Sequence, residues 1–192
     1  MSRIMIVVGH SQQNSFCEAL GRAYCEGAER EGHDVRLFLL SRMQFDPVLR
    51  EGYRQVQPLE PDLATAYAAL SACDHLVLIF PLWCGDMPAI LKGFIERILQ
   101  PDLIKRENTE SAMNWHIFQN KSARIVMTMG MPVSIYRWYY RGHALKLLKR
   151  NVLEFIGIRP VRATLFGMIG TSTLEQRRRW LDAMRALGEE GA

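Results

Sequence analysis

The sequence predicts an α/β domain with one parallel sheet of five strands and helices on both faces. Three observations carry that expectation. Strand-like and helix-like segments alternate along all 192 residues, the pattern of a parallel sheet closed by right-handed crossovers. The run Leu76-Val77-Leu78-Ile79-Phe80 is apolar without alternation, as in a strand buried on both faces. It leads into Ile90, Leu91, Phe94, Ile95 and Ile98, a single stripe at helical spacing.

The elements follow in order. Arg3 to Val8 reads as the first strand and Gly9 to Asn14 as a loop. Asn14 or Ser15 then caps a helix to about Arg30, with Phe16, Leu20, Ala23, Tyr24 and Ala28 at helical spacing and Gly32 beyond its end. His33 to Leu40 is a second strand, whose Asp34 and Arg36 suit a sheet edge. Residues 41–60 show no periodicity; long connections of that kind are usually functional or interfacial. Pro61 opens a helix through Ala72. After the third strand, Asp86 is of a capping type and Pro88 suits a first helical turn, where a missing N–H costs nothing.

Residues 101–121 are irregular and polar. Ser122 to Thr128 is a fourth strand, followed by the turn Met129-Gly130-Met131-Pro132. Tyr136 to Ile156 reads as one helix with Leu145, Leu148, Val152 and Phe155 inward, stopped by Gly157. Pro160 to Met168 is the fifth strand. Thr173 and Gln176 form a capping box for a last helix running to Leu187.

Composition narrows the class. A 48% hydrophobic content supports a single core, so residues 1–192 are expected to form one domain. No apolar run reaches membrane-spanning length, and no leader is expected, because Arg3 begins a strand at once. Cys17, Cys25, Cys73 and Cys84 show no metal spacing and no C-x-x-C; they read as reduced thiols of a cytosolic protein. A formal charge of +4 without a recognition motif gives no reason to expect nucleic acid. Metal binding has no support either, since no histidine pair or carboxylate cluster has ligand spacing.

Two loops carry the chemistry. Pro81-Leu82-Trp83-Cys84-Gly85 lies at the carboxyl end of a buried strand, the edge where open α/β sheets bind ligands. Its apolar, aromatic make-up suits a flat ligand better than a phosphate. The first loop ends at a helix N-terminus, whose free amides attract anions. It matches neither G-x-G-x-x-G nor the P-loop, so His10, Ser15 and the amides of Phe16 and Cys17 are the candidate phosphate donors. An ordinary capped helix start is the plainer reading of the same residues.

Other residues are less specific. His33, His75 and His116 are expected at the surface, whereas His143 lies where it can reach the carboxyl edge of the sheet. The run Tyr136-Arg137-Trp138-Tyr139-Tyr140 suits either a dimer contact or the wall of a planar pocket. Arg137, Arg141, Lys146, Lys149 and Arg150 form a solvated face or recognise the 2′-phosphate of NADPH. Cys84, with no histidine base placed beside it, is expected to pack rather than react.

The stretch from Phe80 to Phe94, F-P-L-W-C-G-D-M-P-A-I-L-K-G-F, resembles the F-P-L-x-W-x-x-x-P-A-x-L-K-G signature of NAD(P)H:quinone oxidoreductases with a flavodoxin-like fold. Gly9-His10-Ser11 through Phe16 is similar to that family's first flavin loop. Thr128 to Met131 stands at its third loop, and Tyr136 at the spacing of its active-site tyrosine. The tryptophan of the signature falls one place later, at Cys84, and two glycines of the third loop are methionines here. The family's active-site histidine aligns with Gly142, next to His143.

The resemblance implies strand order 2-1-3-4-5 and a bound FMN or FAD. His10, Ser15, Phe16 and Cys17 would hold its phosphate. Pro81, Leu82, Trp83 and Cys84 would lie along its ring, with Thr128, Met129, Gly130 and Met131 at the other edge. Tyr136 and His143 would face the substrate. NAD(P)H and a quinone would use one face in turn, giving ping-pong two-electron reduction; azo and nitroaromatic compounds are further expected acceptors. A homodimer is implied, with Trp115 and Phe118 completing the partner's pocket. Two other readings stay open: a regulatory flavoprotein serving a channel or transcription partner, and an electron carrier, which the basic charge disfavours.

Overall fold

The computed structural model describes residues 1–101, 103 and 117–191. Its five strands are β1 (Arg3–Val8), β2 (Asp34–Leu39), β3 (His75–Pro81), β4 (Ser122–Thr128) and β5 (Val161–Phe166). They pair in parallel in the order β2-β1-β3-β4-β5, the order that the resemblance implies. The half-polar β2 sits at an edge, as its sequence suggests.

The unbroken apolar runs have a direct cause. Ile4, Ile6, Val8, Val77 and Ile79 face one core, under α1 (Phe16–Arg30) and α6 (Leu174–Glu189). Met5, Val7, Leu76, Leu78 and Phe80 face a second core, under α2 (Pro61–Ala72) and α3 (Ala89–Ile98). Successive strand residues point to opposite faces, and both faces are covered. Ser15 caps α1, its Oγ accepting the Glu18 amide at 3.2 Å, and Thr173 and Gln176 close the capping box of α6.

The segment expected as one helix from Tyr136 to Ile156 is broken. A short helix α4 (Val133–Trp138) ends in a turn where Arg141 (φ 52°) and Gly142 (φ 61°) are both left-handed. Then come α5 (His143–Lys146) and a π-helical stretch, Leu147–Leu153. The wider π turn shifts the buried stripe by one residue. Leu148, Leu153 and Ile156 are therefore buried, while Phe155, expected inward, is 48% exposed.

Further corrections concern single residues. Asp86 does not cap α3; Pro88 is the N-cap residue, and the Asp86 carboxylate accepts the neighbouring Met87 amide at 2.7 Å. Phe118 is buried in the core of its own chain, which removes it from any partner's pocket, and Trp115 and His116 lie outside the described residues. Residues 41–60 are tied down by a wholly buried arginine, Arg97 of α3, through Glu60.

His75, expected at the surface, is buried at the start of β3, its Nδ1 2.7 Å from Ser122 Oγ. Its Nε2 has no hydrogen-bond partner among the described residues. Burial, with Arg124 and Arg162 nearby, pushes its pKa down to about 4 from the usual 6.5. The unfolded chain thus takes up this proton first on acidification, so stability should fall as pH drops from 6.5 towards about 4 and level off below. Melting temperatures across that window should fall less steeply for His75→Gln; equal slopes would show that His75 is not the titrating group.

Candidate functional site

The parallel register brings the carboxyl ends of β1, β3 and β4 to one edge, so their three following loops converge. In the first loop the Gly9 amide donates to the Ile79 carbonyl at 2.8 Å. A Cβ at Gly9 would lie 2.7 Å from Leu91 Cδ2, which is why the loop can cross here only with glycine. The Gln12 amide donates to His10 Nδ1 at 2.9 Å, which assigns the ring proton to Nε2. Burial lowers the His10 pKa, so the ring is a neutral donor at neutral pH.

Asn14, left-handed at φ 55°, gives its amide to the Glu18 carboxylate at 2.8 Å. Glu18 is buried, and Arg22 at 2.7 Å and Arg42 at 3.1 Å balance its charge. Burial alone would raise the Glu18 pKa, but these bonds bring it below the usual value. With Ser15 capping Glu18, the amides of Phe16 and Cys17 are left at the helix mouth with no carbonyl a turn behind them. The Cys17 thiol itself is buried, 3.4 Å from Thr128 Oγ1, and burial raises its pKa to about 11. Cys17 therefore offers its amide and not its sulfur.

The second loop is a tight hairpin turn. Trp83 and Asp86 exchange both backbone hydrogen bonds at 2.9 Å, with Cys84 (φ 49°) and Gly85 (φ 82°) left-handed between them, the geometry of a type I′ turn. Cys84 therefore stands exposed at a turn apex, not packed as expected. The Leu82 amide is held by the Thr128 carbonyl at 2.7 Å. The Trp83 ring meets His10 edge-on, with centroids 4.9 Å apart. In the third loop the Met129 amide is bound to the Phe166 carbonyl at 2.8 Å, and the next amides, of Gly130 and Met131, enter no hydrogen bond among the described residues.

Two hollows result. A cleft of about 440 Å³ is lined by His10, Ser15, Phe16, Cys17, Pro81, Leu82, Trp83, Thr128, Met129 and Gly130, with Gln12, Asn14 and Ile169. A cavity of about 500 Å³ adjoins it at Leu82 and is lined also by Cys84, Gly85, Met131, Tyr136, Tyr140 and His143. Every residue that the resemblance assigns to the flavin or the substrate borders one of the two, whereas Arg137, Trp138, Tyr139 and the cations from Arg141 to Arg150 line neither. Cys84 and Met131 fall on the side of Tyr136 rather than beside the helix mouth.

Tyr136 is buried, its hydroxyl oxygen accepting the Leu145 amide at 3.0 Å. Burial raises its pKa, against the pull of that amide, and Asp86 raises it further. The hydroxyl thus keeps its proton, and its oxygen is already turned to the backbone. His143 is exposed at the cavity wall.

Three contributors escaped the sequence. Ile169 reaches the cleft from a short turn after β5, Glu18 braces the first loop, and the Arg177 guanidinium lies 5.3 Å over the Phe16 ring. The Arg177 group also donates to the Ile169 carbonyl at 3.1 Å, which links α6 to the helix mouth. A capping box locates Arg177 near the start of α6, but nothing in the local sequence points it at Phe16.

Residues 2–187 match the profile of a family described by its flavodoxin-like fold. The chain belongs to that family. Among relatives, it is similar to NAD(P)H dehydrogenase (quinone) 1 of Cavia porcellus, 30% identical over 158 residues. That match takes in 71% of this chain and 56% of the guinea-pig protein, so the chain spans little more than half of that relative. An uncharacterized NAD(P)H oxidoreductase of Haemophilus influenzae is 27% identical over 88% of this chain and 85% of its own length. Of solved structures, the NAD(P)H:quinone oxidoreductase from Methanothermobacter marburgensis superposes with a TM-score of 0.81 at 21% identity, covering 98% of this chain and 95% of that one. At that identity the flavodoxin-like likeness is one of fold.

Proposed function

We propose that this flavodoxin-like chain is a flavin-dependent NAD(P)H:quinone oxidoreductase. The observation that carries the reading is the pairing of the two hollows. One has free amides at a helix mouth and an apolar shelf; the other is an aromatic cavity with a hydroxyl donor, and the two share Leu82 as a common wall. The residues present fit FMN or the flavin half of FAD. His10 Nε2–H and the amides of Phe16 and Cys17 would hold a phosphate, with Ser15 shaping the turn. Pro81, Leu82 and Trp83 would lie along the ring, and the amides of Gly130 and Met131 would face its polar edge, with Thr128 and Met129 beneath.

When bound, the flavin supplies hydride acceptance and two-electron transfer. The chain supplies position and polarity. Leu82, Met131 and Tyr140 would exclude water from a stacked nicotinamide or quinone. Tyr136 would donate its hydroxyl proton in a hydrogen bond to the acceptor oxygen as charge develops there. His143 stands at the same wall as a second donor. An apolar wall with few polar groups discriminates poorly, so azo and nitroaromatic acceptors belong to the same reading.

Four free cysteines accord with a reducing, cytoplasmic setting, and among the described residues no helix is long and apolar enough to cross a membrane. A homodimer is part of the proposal and is read by sedimentation of the purified chain. The decisive test is the absorbance spectrum of that preparation, chromatography of the released cofactor, and NAD(P)H oxidation with and without a menadione-like quinone. A yellow protein with quinone-dependent oxidation is expected. A colourless chain that takes up no added flavin nucleotide would overturn the reading.

A further inference from the structure

The sequence leaves two readings for the cations after β4, a solvated face or a phosphate site. We propose that the rim of the second cavity binds the 2′-phosphate of NADPH through Arg141 and Lys146, making NADPH the preferred reductant over NADH. The inference rests on the oxidoreductase reading and names its nucleotide.

Position is the first argument. Tyr140 and His143 line the cavity, and Arg141 lies between them in chain order, in the double left-handed turn with Gly142. Lys146 follows His143 by three residues within α5, which puts both on one side of that helix. Both cations are exposed. The turn that breaks the expected long helix thus puts one exposed cation between two wall residues in the chain and a second three residues beyond the latter of them.

Charge is the second. From Met129 to Leu153 the chain has no Asp or Glu, yet it carries Arg137, Arg141, Lys146, Lys149 and Arg150. Neither Arg141 nor Lys146 enters an ion pair or side-chain hydrogen bond among the described residues. On α1 and α6, by contrast, Arg22, Arg179 and Arg185 all pair with carboxylates. An anion from outside is what such a rim lacks, and a phosphate monoester brings nearly two negative charges.

The third is the company these cations keep. Trp138 is 84% and Tyr139 79% exposed, and Tyr139 packs edge-on against Tyr140 with centroids 4.9 Å apart. Flat faces beside cations suit an adenosine phosphate. A second copy of the chain suits the patch less well. A twofold contact centred on Arg141 and Lys146 would bring these unpaired cations close to their own copies.

The test compares kcat/KM for NADPH and NADH in the flavin-loaded wild type and in the Arg141→Ala Lys146→Ala double variant, with Arg178→Ala of α6 as control. Binding of 2′,5′-ADP and 5′-AMP is measured by calorimetry alongside. The wild type should prefer NADPH by about tenfold or more, the ratio that a single charge-assisted contact supports. The double variant should lose that preference through KM, and added salt should shrink it. Arg178→Ala should keep it. No preference in the wild type, or one that survives in the double variant, would overturn the proposal. Tighter binding of 2′,5′-ADP that depends on the two cations, with no oxidation of either nucleotide, would uphold the rim and refute the reaction instead.

Discussion

Glu60→Ala is expected to lower the unfolding free energy by about 3 kcal/mol, the lower end of the cost of stripping one partner from a buried ion pair. Arg97 is wholly buried, and its Nη2 donates to Glu60 Oε2 at 2.8 Å and to the Pro58 carbonyl at 2.7 Å. Its Nη1 donates to Glu60 Oε1 at 3.1 Å and to the Asp46 carbonyl. Two carbonyls would remain after the substitution, and the Glu60 side chain is itself 31% exposed, which keeps the loss at the lower end. Glu60 also accepts the Asp46 amide at 3.1 Å, so the loop of residues 41–60 would lose a second tether. Burial would by itself raise the Glu60 pKa; its bonds to Arg97 and Asp46 bring the net shift below the usual value. The pair's contribution is therefore present at neutral pH and lost as pH falls through that lowered value. Chemical denaturation of both chains at neutral pH measures the difference. A loss below about 1 kcal/mol would mean that water reaches Arg97 once Glu60 is gone.

How much of this was legible depended on whether the determining contact was local. Ile4 to Val8 and Leu76 to Phe80 betray a sheet covered on both faces because each residue must meet a core. Ser15 and Thr173 announce helix starts because a cap bonds an amide three residues on. The first two site loops were found because strand ends locate them, whatever their detail, and the third through the family resemblance. The break at Arg141 was not, since the inward stripe of Leu145, Leu148 and Val152 lies wholly beyond it and the one turn signal there, Gly142, stands singly inside a segment that reads as helical. The π turn moved the stripe onto Leu153 and Ile156, an insertion no periodicity reveals. Asp86 looked like a cap because its type suits one, yet the hairpin turn claims it. Arg97, Glu18 and Arg177 act across 37, 24 and 8 residues, through Glu60, Arg42 and the Ile169 carbonyl. Charged residues read singly give no sign of such partners.

On the proposed function, Tyr136→Phe is expected to slow transfer to a quinone about a hundredfold while slowing reduction of a bound flavin by NADPH far less. The asymmetry follows from where charge appears. A quinone oxygen becomes strongly basic as it accepts electrons, and a donor fixed in an apolar hollow is worth most at that moment. The nicotinamide loses a hydride and develops no such oxygen. The Tyr136 hydroxyl suits the task because the Leu145 amide holds its oxygen at 3.0 Å, leaving the O–H to point elsewhere. Its raised pKa, set first by burial, keeps that proton in place through the working range, so the effect should not vary between mildly acidic and mildly alkaline pH. The substitution also strands the Leu145 amide, at a cost of about 1–3 kcal/mol in stability, which thermal melting reads separately from the chemistry. Stopped-flow measurement of each half-reaction separates the two effects, because a loosened site would slow both while a lost donor slows one. Equal slowing would mean that the substitution only loosens the site and would remove Tyr136 from the donor's part; of the other polar side chains on that wall, His143 is then tested by His143→Asn, which should slow quinone reduction alone.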